Sequence, residues 1–143
     1  MTRAQGIAYW HKRWSQLRAW RRDLSEVKIE VSDRILTARV GTCFSAHRIV
    51  IYRGSSFVQE LATLLHELAH AATVGRTPHS DCWQETFSSA ASEVTGIAVV
   101  PVVYNYRVLD RAVEDAIKHW WWMSGEADRW ELARKLSRLG ASS

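Results

Sequence analysis

The chain has 143 residues, of which 47% are hydrophobic and 24% are charged, and its formal net charge is +4. These values are typical of a single globular domain over residues 1–143 and exclude fibrous and low-complexity proteins. There is no apolar run of about eighteen residues and no basic-then-apolar leader, so we expect no membrane span, no secretory signal and a cytoplasmic location. Two cysteines, Cys43 and Cys82, are too few for a disulfide framework or a zinc ribbon.

Residues 1–26 are predicted to form a basic amphipathic helix. Residues 1–22 contain six basic side chains and no acidic one. Apolar residues recur there at helical spacing and would face the core, namely Ile7, Trp10, Trp14, Leu17 and Leu24. The basic back of such a helix suits a phosphate backbone, so nucleic acid is a candidate partner through Lys12, Arg13, Arg18, Arg21 and Arg22. A solvated helix face with no partner is the alternative.

Three β-rich runs follow the first helix. They are Val27–Val31, Ile35–Val40 and Arg48–Tyr52, with a turn predicted at residues 41–43. Their order before the helical half of the chain predicts an α+β fold with a small antiparallel three-stranded sheet on one side.

The next segment, about 57–74, is a predicted helix that carries His66, Glu67 and His70 in an H-E-x-x-H pattern. Two histidines four residues apart are rotated by about 40° and separated by about 6 Å along a helix, so both can bind one ion. Glu67 would then be the general base for an attacking water, and we expect one Zn²⁺ per chain. The alternative is a pair of hydrogen-bonded core histidines. Ser56 with Gln59 predicts the start of this helix, and Gly75 predicts its end.

Two histidines leave a zinc ion short of ligands, and two residues compete for the third place. His79 follows a break at residues 76–78 and precedes a helix that Ser80 should cap and Gly96 should end. Glu93 lies further along that helix, at a spacing at which another class of zinc peptidases takes a carboxylate ligand. About 21 Å of helix would separate His79 from Glu93, so they cannot both bind the same ion. The alternative for His79 is a loop histidine that caps the next helix and binds no metal.

Residues 97–143 are predicted to be a tryptophan-rich helical extension. The apolar run 97–103 contains Pro101, so any strand there is irregular, and helices are expected at about 107–123 and 126–139. Three consecutive tryptophans span about 200° of a helix and cannot all face one core. We expect Trp120 and Trp121 to point inward, while a contact with a second copy or a partner through Trp120, Trp121 and Trp122 is the alternative.

Residues 27–96 resemble the SprT-like metallopeptidase domain. The resemblance is carried by the runs VKIEVSD, ARVGTC and RIVIY, then LATLLHELAHAAT, then PHSDCW. It implies that His66, His70 and His79 bind the metal and that Glu67 is the catalytic base, with Trp83 as an aromatic residue beside the site. Pro78 stands where the family usually has glycine, and no C-x-x-C pairs follow.

The predicted function is a zinc-dependent metallopeptidase acting on protein or peptide substrates. The best-known branch of the family implies DNA-associated proteins as substrates, and similar short domains occur in phages and mobile elements. Tyr104, Tyr106 and His47 are candidates for stabilising the oxyanion. The alternative is a non-catalytic nucleic-acid-binding or assembly protein that keeps zinc as a structural element, and a third possibility is a metal-dependent hydrolase of another bond.

Overall fold

The computed structural model describes residues 2–37, 40–101, 105–131 and 135. The elements in chain order are α1 (Arg3–Trp14), a 3-10 helix (Arg18–Trp20), β1 (Lys28–Val31), β2 (Gly41–Ser45), β3 (Arg48–Ile51), α2 (Phe57–Ala72), α3 (Asp81–Thr95) and α4 (Tyr106–Met123). Residues 126–131 are also helical. The fold is α+β, as predicted from the sequence.

The sheet is mixed, whereas an antiparallel sheet was predicted. Its strand order is β1-β3-β2, with β3 parallel to β1 and antiparallel to β2. The tight connection between β2 and β3 makes those strands antiparallel, and insertion of β3 beside β1 then makes that pair parallel. This order leaves β2 at an edge of the sheet.

The prediction of a strand at Ile35–Val40 was wrong. Residues 35–37 are not in a strand, Ile35 is 75% exposed, and residues 38–39 lie outside the described part. A turn was predicted at residues 41–43. The strand begins instead at Gly41, which pairs with Ile51. A β-branched composition favours extended backbone, but pairing with β3 decides which residues form the strand.

The first helix is shorter than predicted. It ends at Trp14, and the chain turns through the 3-10 helix to Arg21, whose φ of 61° is left-handed. Nε1 of Trp20 donates to the carbonyl of Trp14 at 2.6 Å, which satisfies a carbonyl that the helix end leaves free. Arg18, Arg21 and Arg22 therefore do not lie on the back of one helix with Lys12 and Arg13.

The predicted apolar stripe is confirmed, and the part of it that lies in α1 packs on α4. Ile7, Trp10, Trp14 and Leu24 are at most 3% exposed. Ring centroids place Trp10 at 5.4 Å from Trp120 and 6.0 Å from Trp121. Trp121 is buried and Trp120 is partly buried against the core, whereas Trp122 and Met123 are 65% and 74% exposed.

The predictions of an irregular run after residue 97 and of two helices after it are confirmed for the residues that the structure describes. Residues 97–101 form no strand, and Trp130 in the helical segment 126–131 stacks on Phe57 with centroids 4.3 Å apart. The rest of the predicted 97–103 run and of the predicted helix 126–139 lies outside the described residues. In the described parts of the chain, we find no helix with the length and apolar character needed to cross a membrane.

Helix α2 is the central element and holds the sequence motif. Oγ of Ser56 caps its first turn by accepting from the backbone N–H of Gln59 at 3.1 Å. Helix α2 contacts the sheet as well as α3 and α4, and its buried apolar side chains are Leu61, Ala62, Leu64, Leu65, Leu68, Ala69 and Ala71. Each such leucine stabilises the fold by about 1.5–3 kcal/mol, so the motif side chains project from a rigid support.

Candidate metal centre

The three predicted histidines meet at one point. Nε2 of His79 lies 3.0 Å from Nε2 of His70 and 3.4 Å from Nε2 of His66. A tetrahedral zinc ion about 2.05 Å from each nitrogen places neighbouring nitrogens about 3.3 Å apart. The donor set and its spacing therefore fit a divalent metal ion held by His66, His70 and His79.

The backbone positions these rings in two different ways. His66 and His70 are one turn apart on α2 and share a face. His79 comes from the loop before α3 and has a left-handed φ of 58°, which is strained for a side chain with a Cβ. Nε2 of Gln84 donates to the carbonyl of His79 at 3.3 Å and helps to hold this conformation.

Asp110 on α4 orients His66. The carboxylate oxygen Oδ1 lies 2.6 Å from Nδ1 of His66. Because the carboxylate can only accept, Nδ1 of His66 carries the proton, and Nε2 keeps a lone pair that faces the other histidines. This is the arrangement that commonly fixes the tautomer of a metal-binding histidine.

Aromatic rings hold the histidines from two sides. Trp83 is fully buried, and its ring centroid lies within 5.1 Å of those of all three histidines. Tyr106 stacks on His79 with a centroid separation of 3.8 Å and an interplanar angle of 5°. These contacts restrict the rotation of the imidazoles and so organise the site before any ion binds.

The environment favours the neutral form of His70 and His79. Burial, followed by the neighbouring His66 and His79, lowers the pKa of His70 to about 3. Burial also lowers the pKa of His79, with a further contribution from His66, while Asp110 acts in the opposite direction. Metal binding requires deprotonated imidazole, so His70 and His79 are able to bind a cation at neutral pH.

Glu67 lies beside the histidines and is only 6% exposed. Its Oε1 is 3.6 Å from Nε2 of His66. Gly41 on β2 makes room for it, because a Cβ there would come within 2.6 Å of Cγ2 of Thr63 and 3.1 Å of Cγ of Glu67. Glu67 is thus held next to Nε2 of His66, one of the three nitrogens that could hold a metal ion.

Cys43 also faces this space without being a candidate ligand. Burial and then the charge of Glu67 raise the pKa of the Cys43 thiol to about 11. The thiol is therefore protonated at neutral pH, and the described residues whose ligand atoms lie close enough together to hold one ion are the three histidines without Cys43.

The site opens into a cleft of about 790 Å³. Edge strand β2 and the preceding Val40 form one wall, α2 forms the floor, and the His79 loop and α4 close the other side. Glu67 and all three histidines line this cleft. A ligand can therefore reach both the metal position and the carboxylate.

Glu93, the competing third ligand, lies elsewhere. Its carboxylate accepts from the backbone N–H groups of Arg18 and Ala19 at 3.0 and 3.2 Å. It therefore caps the 3-10 helix and is not among the described residues that line the cleft. His47 is not in that lining either, Tyr106 is, and Tyr104 lies outside the described residues.

Sequence reasoning missed Asp110 altogether. Tyr106 and Asp110 have the same i, i+4 spacing as the two motif histidines, which places both on one face of α4. That spacing is a usable signal only when the packing of α4 against α2 is known, because many helices carry such pairs by chance.

Scans against protein-family models, curated proteins and solved structures return no match to this chain. The SprT-like resemblance is thus carried by the motif residues themselves and stays a prediction.

Replacing Asp110 with asparagine should weaken zinc binding about 10- to 100-fold, because the neutral amide no longer supports the basicity of His66. A competition titration against a chromophoric chelator measures this change. Asp115→Asn is the matched control, since it makes the same substitution at an exposed position of the same helix. Equal zinc affinity in Asp110→Asn and the parent protein would contradict the assigned role.

Proposed function

We propose that this protein is a zinc-dependent metallopeptidase. The observation that supports it most is the convergence of three histidine Nε2 atoms next to the buried carboxylate of Glu67 at the floor of an open cleft. The SprT-like resemblance of residues 27–96 points to the same chemistry.

His66, His70 and His79 would hold the metal. When bound, zinc supplies a Lewis acid that polarises a carbonyl and lowers the pKa of water. His66 stays in the required tautomer because Asp110 accepts from its Nδ1. Tyr106 keeps the ring of His79 in place by stacking.

Glu67 would carry the proton during the reaction. Its carboxylate takes a proton from the attacking water and later gives it to the amine that leaves when the peptide bond breaks. Its position 3.6 Å from Nε2 of His66 places both events beside the metal-binding nitrogens. Because Glu67 is nearly excluded from solvent, proton exchange with bulk water competes little with this transfer.

A polypeptide substrate fits the form of the cleft. Edge strand β2 lines it from Gly41 to Ser45. An extended peptide can hydrogen-bond to the free edge of such a strand, while its side chains alternate between neighbouring subsites. This geometry favours a peptide over the third possibility, hydrolysis of a bond other than a peptide bond.

The non-catalytic alternative requires zinc to act only as a structural element. Structural zinc sites usually have four protein ligands and are closed to solvent. In the described part of the chain, the cluster capable of binding a metal has three histidines and faces a cleft. A buried Glu67 beside these histidines also has no role in a purely structural site.

Nucleic acid as a partner is not favoured by the positions of the basic residues. The guanidinium of Arg13 lies 5.2 Å from the ring centroid of Trp10, and Arg22 donates to the carbonyl of Ala71. Lys12 and Arg13 are in the last turn of α1, whereas Arg18, Arg21 and Arg22 line a separate cavity. The five cations therefore do not form one continuous helix face.

The proposal predicts about one zinc ion per chain and hydrolysis of an unfolded protein substrate. Metal content can be measured by mass spectrometry, and activity with a fluorescent, denatured casein. A strong zinc chelator should stop the hydrolysis and added Zn²⁺ should restore it. Zinc-loaded protein that cleaves no unfolded or DNA-associated protein would contradict the proposed function and favour the structural role.

A further inference from the structure

A second cavity, of about 840 Å³, lies between the 3-10 helix and α3. Arginines dominate one side, with Arg18, Arg21 and Arg22 next to the 3-10 helix and Arg76 in the loop after α2. Glu85 is the one carboxylate among the described residues of the lining. The cavity is therefore strongly positive.

Three of these arginines are available to a ligand. Arg22 is engaged with the carbonyl of Ala71. Within the described ranges of the chain, the side chains of Arg18, Arg21 and Arg76 form no ion pair or hydrogen bond. By contrast, the arginines with nearby carboxylates are paired, as in Arg3 with Glu60, Arg48 with Glu30 and Arg53 with Asp33.

The backbone at Arg21 supports a ligand-binding role. Its φ of 61° lies in the left-handed region, where glycine is the unstrained residue. An arginine there places a cation at the mouth of the cavity at the cost of local strain. Strain of this kind clusters at binding sites.

The cavity adjoins the metal cleft. Thr73, Val74 and Arg76 line both spaces. A polypeptide in the cleft can therefore extend past Arg76 towards Arg18 and Arg21. We propose that this cavity is a substrate subsite for acidic side chains, so that the enzyme selects polypeptides with aspartate or glutamate near the cleaved bond. This inference rests on the proposed peptidase function.

The lining favours carboxylates over nucleic acid. Binding of single-stranded nucleic acid usually needs exposed rings on which bases stack. In the described lining, the aromatic residue is Trp20, which is only 3% exposed. Arginine guanidinium groups match the planar carboxylate with paired hydrogen bonds.

On the opposite wall of the cavity, three hydroxyl groups are already engaged in hydrogen bonds. The hydroxyls of Thr86, Ser88 and Ser92 donate to carbonyls of their own helix, at 2.8, 3.1 and 2.9 Å. They are therefore not free to donate to an anion. Charge recognition in the cavity falls to Arg18, Arg21 and Arg76.

The test compares two fluorescein-labelled peptides, one with consecutive glutamates beside a cleavable bond and one with glutamines in their place. Binding is measured by anisotropy with zinc-loaded Glu67→Gln protein, which should not cleave them. The glutamate peptide should bind at least about fivefold more tightly at low salt, and the difference should shrink as salt rises. Arg21→Gly and Arg18→Gln, each added to that protein, should remove most of the difference.

Arg21→Gly also separates binding from folding. Glycine relieves the left-handed strain, so the variant should unfold at a temperature no lower than that of its parent. Arg34→Gln is the charge-matched control, because Arg34 is exposed and lines neither cavity. It should leave the preference intact.

Equal binding of the two peptides, or an unchanged preference in Arg21→Gly and Arg18→Gln, would overturn the acidic subsite. Tighter binding of a labelled oligothymidylate, lost in the same variants, would assign the cavity to nucleic acid and overturn it as well. Failure of the zinc-loaded parent protein to hydrolyse these peptides as well as unfolded and DNA-associated proteins would overturn the peptidase, and it is distinguishable because the anisotropy comparison does not depend on cleavage.

Discussion

Glu67→Gln is expected to lower the rate of peptide hydrolysis by at least about 10³-fold while the protein keeps its zinc and its fold. Glutamine has nearly the same shape as glutamate but cannot take up and return a proton, so the base and acid roles are lost together. The three histidines that would hold the metal remain. Zinc content, unfolding temperature and kcat/KM on a fluorogenic peptide together measure the three parts of this result.

Glu26→Gln is the matched control, because it makes the same substitution at an exposed position outside the cleft. Its kcat/KM should equal that of the parent. If Glu67→Gln retained parental turnover, Glu67 would have no part in proton transfer and the mechanism would have to be abandoned. If it lost its zinc, the role of Glu67 would be structural.

Local sequence patterns predicted the centre of the molecule well. Ser56 caps α2 at the position that the sequence predicts. The spacing of His66 and His70 is a property of one helix, so no tertiary information is needed to place both imidazoles on one face. Ser80 and Gly96 occupy the two cap positions of α3 as predicted, although the side chain of Ser80 makes no capping hydrogen bond.

Features that depend on contacts distant in sequence were predicted poorly. The sheet order follows from the insertion of β3 between β1 and β2, and no strand sequence encodes that insertion by itself. Helix α1 stops at Trp14 although the stripe continues to Leu24, because Trp20 and Glu93 satisfy the backbone of a turn there. Asp110 reaches His66 from a helix 44 residues away, so only the packed structure identifies it.

The choice between His79 and Glu93 also depended on contacts that local sequence patterns do not reveal. The sequence offered both as third ligands, and the structure brings His79 into contact with the motif histidines while Glu93 caps the 3-10 helix. A substitution at each position therefore tests one ligand assignment against the other.

His79→Asn should reduce zinc affinity by more than about 100-fold, beyond the loss expected from an outer partner such as Asp110. Asparagine tolerates the left-handed backbone found at position 79, so the loop before α3 should keep its course and the unfolding temperature of the metal-free protein should change little. Hydrolysis should fall with the zinc content.

Glu93→Gln is the comparison: it should keep zinc and lose at most about 1 kcal/mol of stability, since the charged cap of the 3-10 helix becomes neutral. Chelator competition and thermal unfolding measure both variants. If His79→Asn kept its zinc and Glu93→Gln lost it, Glu93 would be the third ligand in place of His79. Helix α3 would then have to approach the motif histidines from a direction that the packing of Trp83 against them does not allow.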